Sequence, residues 1–102
     1  MINNNNTGAN SIEEFEKLGT VQKLILVDWI KNHFEPIKSW NLKNSSYGMK
    51  GIFERSENGF YITNGAFKGA MLECGFNVKD KNALNWNFNV SRKSLAFIKY
   101  KR

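Results

Sequence analysis

His33 and Cys74 are the single imidazole and the single thiol of the chain, the residue types from which nucleophilic chemistry is most readily built. They lie far apart in sequence, one at the end of a helical stretch and the other on an apolar helix face, so they form no nucleophile–base pair. A lone histidine without a second His or a nearby Cys also lacks a metal-ligand pattern. Glu13 with Glu14, and Glu54 with Glu57, stand close enough for paired-carboxylate work, yet helix capping or solvation accounts for each. Gly65-x-x-x-Gly69 is not followed by Lys-Ser/Thr and lies inside a helix, so it is no phosphate-binding loop. The expectation is a protein that is not an enzyme and holds neither cofactor nor metal.

A second set of residues fits contact with a nucleic acid. Thr63 and Asn64 begin a helix, where free N–H groups and a hydroxyl suit a phosphate oxygen, and Asn64 has the amide that reads an adenine edge. Lys68 follows one turn later. Lys79 and Lys81 flank a loop tip, and Arg92 and Lys93 lie beyond the last predicted strand, all four able to attract phosphate without reading sequence. Each has a plainer role as well, since Thr63 and Asn64 serve as caps and a solvated lysine is ordinary.

The helix that must position this set runs from Asn64 to Cys74. Thr63 or Asn64 caps its start and Gly75 closes its end in the left-handed conformation. Phe67, Ala70, Met71 and Cys74 recur at i, i+3, i+4 and i+7 and define an apolar face, whereas Asn64, Lys68, Leu72 and Glu73 look the other way. Gly65 and Gly69 weaken such a helix by roughly 1 kcal/mol each relative to alanine. Their presence implies that another backbone comes close, either a neighbouring helix or a phosphate chain.

The remaining elements follow from caps and periodicity. Ser11 and Glu14 form a capping box for a short helix to about Leu18, ended by Gly19. Val21 to about Phe34 is a longer helix with Val21, Leu24, Ile25 and Trp29 on one face, stopped by Pro36. Trp40 anchors a polar connection, and Ser45 or Ser46 caps a helix from Tyr47 to about Arg55. Phe60–Ile62 and Phe76–Val78 are β-favouring. Leu84, Trp86, Phe88 and Val90 alternate with Asn85, Asn87 and Asn89, the period-2 pattern of a strand with one buried and one wet face.

With 102 residues the chain has room for one small domain, and 41% hydrophobic content is enough for a core. The Asn-rich residues 1–10 bury too little to repay their ordering entropy and are expected to be disordered, leaving a domain over 11–93 and a basic tail over 94–102. No apolar run reaches membrane-spanning length and no secretory signal opens the chain, so a cytoplasmic location with no membrane partner is expected. Residues 1–80 hold equal numbers of basic and acidic side chains; the whole net charge of +6 therefore sits in residues 81–102. Such a block either solubilises a tail or attracts a polyanion.

The order helix, helix, short strand, helix, hairpin resembles a winged helix-turn-helix, an α+β fold of three to four helices with a small antiparallel hairpin, whose third helix enters the major groove. Ser45-Ser46-Tyr47-Gly48-Met49-Lys50, Phe53-Glu54, Tyr61-Ile62-Thr63-Asn64-Gly65-Ala66-Phe67-Lys68-Gly69-Ala70-Met71-Leu72 and Gly75-Phe76 also resemble a family of small uncharacterised phage and mobile-element proteins. The fold resemblance implies DNA binding, with double-stranded DNA the expected partner. The alternative is an inhibitor or adaptor of phage type that grips a bacterial defence protein, such as a CRISPR effector nuclease, in its nucleic-acid channel.

Overall fold

Thr63 turns an extended chain into a helix: its Oγ1 accepts the Ala66 amide at 3.1 Å, satisfying one free donor of the first turn. Helix α3, Asn64–Glu73, ends where Gly75 takes φ +89°, the Gly75 and Phe76 amides donating back to Leu72 and Met71. The computed structural model describes residues 4–99, and within it α3 is the central rod. Thr20–His33 (α1), Ser46–Glu54 (α2) and a short terminal Leu95–Lys99 (α4) surround it. Three 3-10 turns, Asn4–Asn6, Gly8–Asn10 and Ile12–Lys17, cross its remaining face.

The core lies between α1, α2 and α3, where Leu26, Ile30, Met49, Phe53, Phe67, Ala70 and Met71 are fully buried. Trp29 packs edge-on against Phe34 and Phe53, with centroids 5.3 and 5.4 Å apart. Apolar residues run almost round α1, so periodicity did not single out its buried stripe. Leu26, Trp29 and Ile30 face inward, while Val21 and Leu24 are 68% and 65% exposed.

The winged, α+β expectation is overturned. Among the described residues there is no strand and no hairpin, only single-residue antiparallel bridges joining Pro36 to Val90 and Val78 to Phe88. The alternation in 84–90 is real in burial, since Trp86, Phe88 and Val90 are buried, though Leu84 is not. A continuous ladder does not form because the opposite segment loops out between its contacts: the Ile37, Asn41 and Ser46 amides donate to the Asn89, Phe88 and Trp86 carbonyls, and Asn87 Nδ2 and Asn89 Nδ2 bond the Asn41 and Ile37 carbonyls at 3.0 and 3.1 Å.

Two boundaries also move. Of residues 1–10, expected to be disordered, 4–10 are folded over α3, with Asn5 and Asn6 donating to the Asn82 and Lys81 carbonyls, and 1–3 lie outside the described residues. The tail expected from residue 94 is helical over 95–99, with Ser94 and Ala96 buried; the part of that expectation on residues 100–102 lies outside the described residues. No helix among the described residues is long and apolar enough to cross a membrane.

Candidate nucleic-acid interface

Helix α3 does not present a reading face. Asn64 is a buried hub: its Oδ1 accepts Ser46 Oγ at 2.9 Å, and its Nδ2 meets Asn10 Oδ1, Asn85 Oδ1 and Leu84 O at 3.0–3.2 Å. Lys68, predicted to look toward solvent, is fully buried. Its ammonium donates to Asn6 Oδ1 at 2.7 Å, Asn10 O at 3.1 Å and Asn5 O at 3.4 Å, and lies 4.6 Å from the Trp86 ring centroid. Thr63 is occupied as the cap. The structure thus takes Asn64 and Lys68 away from a groove-reading surface, because residues 5–10 cover the side they share, whereas half-buried Thr63 stays at the wall of an open recess.

Lys79 and Lys81 are exposed on the turn that receives Asn5 and Asn6, and they do not line the recess that Arg92 and Lys93 share. Arg92 and Lys93 are exposed on a second turn, pinned where Ser94 Oγ accepts the Glu35 amide and Ser91 Oγ accepts the Lys93 amide, at 2.9 and 3.0 Å. That turn meets a cation the sequence reading missed. Residues 35–46 run antiparallel to 86–91, with the Ser91, Ile37, Asn41 and Ser46 amides donating to Glu35, Asn89, Phe88 and Trp86 carbonyls. This pairing brings Trp40 and Lys43 beside Arg92 and Lys93 around an open groove of about 430 Å³. No acidic side chain among the described residues lines it. Trp40 is 38% exposed and Leu42 67%.

Asn41 lines the same groove and is itself 1% exposed. Its Oδ1 accepts the Lys43 and Asn44 amides, both at 3.0 Å, which fixes the amide plane. Its Nδ2 is a buried donor with no hydrogen-bond partner among the described residues. Such a donor costs about 1–3 kcal/mol when unpaired.

A second recess, of about 410 Å³, lies between Tyr47 and Tyr61. There Lys50 pairs with Glu54 at 2.9 Å, Glu54 accepts the Ile62 amide at 3.0 Å, and both tyrosine rings lie about 5 Å from the ammonium. The cation in this recess is thus neutralised internally, which leaves the Trp40 groove as the place where uncompensated positive charge gathers.

Neither classical reactive group is poised. His33 Nδ1 donates to the Trp29 carbonyl at 2.7 Å and its ring stacks on that indole. Burial pushes the Cys74 thiol up to about 11, and its Sγ contacts Val27 O at 3.8 Å. Alkylation of Cys74 at neutral pH should run roughly a hundredfold slower than for an unperturbed cysteine, since that much less thiolate is present; a rate matching a model thiol would contradict this placement. Among the described residues no three His, Cys, Asp or Glu side chains gather to hold a metal ion. No model of a known protein family, no curated protein and no solved structure matches the chain.

Proposed function

We propose that this is a non-enzymatic nucleic-acid-binding protein whose polyanion contact is the groove of Trp40, Lys43, Arg92 and Lys93. The observation that carries the reading is the convergence of three cations and a half-exposed indole on one open groove without a carboxylate. The cations supply attraction to phosphate and the aromatic supplies a surface for a base. The concentration of the whole net charge in residues 81–102 adds a long-range field of the same sign. A cytoplasmic setting, in a phage or mobile element, goes with the motif resemblance.

The test is fluorescence anisotropy with labelled oligonucleotides at about 50 and about 200 mM salt, where each phosphate contact contributes roughly 0.7–0.9 to the logarithmic salt slope. The variant Lys43→Ala/Arg92→Ala/Lys93→Ala should bind at least tenfold more weakly and lose about 2 from that slope. Equal binding by wild type and variant would remove the groove from the reading. A second reading, an inhibitor or adaptor that grips a defence nuclease, has support in Val21 and Leu24, adjacent on one face of α1 and left to solvent. Association with such a nuclease complex, without any oligonucleotide binding, would favour it.

A further inference from the structure

We infer that the groove accepts an unpaired nucleobase, so that its ligand is a single-stranded nucleic acid and not a duplex. This rests on the nucleic-acid reading above and goes beyond it by naming the strand state. Asn41 contributes to the groove's lining, and its amide nitrogen is buried without a hydrogen-bond partner among the described residues while its oxygen is committed to the Lys43 and Asn44 amides. A carbonyl oxygen on the edge of a base would satisfy that donor once the groove wall gives way to the ligand. The Trp40 indole, next in the chain, offers a flat face on which that base can stack, and Lys43, Arg92 and Lys93 surround the groove at positions suited to the flanking phosphates. A base inside a duplex has its faces covered by its neighbours and its edge engaged by its partner strand, so it cannot use the indole and the amide together. Helix α3, the element expected to enter a duplex groove, is covered by the N-terminal turns.

The full chain is titrated with oligothymidylate and with a duplex containing the same strand. Trp29 and Trp86 are buried, so quenching of tryptophan emission on binding reports on Trp40. Wild type should bind the single strand at least tenfold more tightly than the duplex. Trp40→Ala should weaken single-strand binding roughly tenfold, with Trp40→Phe restoring most of it, while duplex binding stays unchanged. Asn41→Asp keeps the oxygen that the loop turn needs but loses the donor. Because the new carboxylate also opposes phosphate, the test is the difference between probes, read well below the thermal midpoint of both proteins, with a larger loss expected for the single strand than for the duplex and an equal loss of both removing the amide from the inference. Duplex binding as tight as single-strand binding, or equal loss of both in Trp40→Ala, overturns the inference and leaves the nucleic-acid reading standing. Absence of binding to either probe at low salt overturns the reading itself.

Discussion

Gly65→Ala is expected to destabilise the protein by about 3 kcal/mol and to release its N-terminal segment. Alanine at an unhindered helical position does the opposite, stabilising by roughly 1 kcal/mol through propensity. The sign inverts here because a Cβ on Gly65 would overlap the Ser11 carbonyl oxygen and reach within 2.7 Å of the Ser11 carbonyl carbon and amide nitrogen. The obstacle is backbone, so no rotamer change relieves it. Gly69 repeats the arrangement one turn later, where a Cβ would lie 2.6 Å from Ile12 O and 2.7 Å from Phe15 Cβ. Gly48, an exposed residue in α2 whose Cβ would meet nothing within 4 Å, is the internal control, and Gly48→Ala should stabilise. Urea denaturation of the three variants, with limited proteolysis around residues 4–18, reads the result. A neutral or stabilising Gly65→Ala would show that the 3-10 turns do not rest on α3 in solution.

What could be read from the sequence, and what could not, divides along a physical line. Local signals were legible: Thr63 as cap, Gly75 as terminator and the end of α1 before Pro36 each depend on a few neighbouring residues. The two helical glycines also announced a close backbone, which turned out to be that of Ser11 and Ile12. Polarity was harder to interpret. The Asn64 and Lys68 side of α3 was taken as wet, but it faces amides and carbonyls, and a sequence pattern does not distinguish those from water. The Asn-rich start was expected to stay unfolded because an entropy argument that counts apolar burial gives no weight to side-chain oxygens and carbonyls that solvate a buried ammonium. The period of 84–90 marked Trp86, Phe88 and Val90 as buried without showing that the segment opposite would loop out between its backbone contacts. The groove was hidden for another reason, since Lys43 and Arg92 are brought together only by the antiparallel run of 35–46 along 86–91.

The stability of the wild type relative to Lys68→Met should rise by about 3 kcal/mol between neutral pH and about pH 10.5. Burial pushes the Lys68 ammonium down to about 8, against 10.5 for an ordinary lysine. Between those values the unfolded chain keeps its proton while the folded one has given it up, so the unfolded state binds more protons and stability increases with pH. Below about pH 8 both states are charged and the difference is flat; across the window it changes by roughly 1.4 kcal/mol per pH unit. Methionine is the appropriate reference because it keeps an unbranched side chain against Trp86 and has no proton to lose. Subtracting its stability cancels the tyrosines and the remaining lysines that titrate in the same range. Deprotonation leaves an amine with two donors for the three acceptors Asn5 O, Asn6 Oδ1 and Asn10 O. The global gain should therefore be accompanied by faster amide exchange in residues 4–10, a local loosening of the segment that the ammonium tethers. Urea denaturation of both proteins at intervals from pH 7 to about pH 10.5 measures the difference. A flat difference would mean that the three oxygens and the indole hold the proton on Lys68 throughout, outweighing the desolvation of its charge.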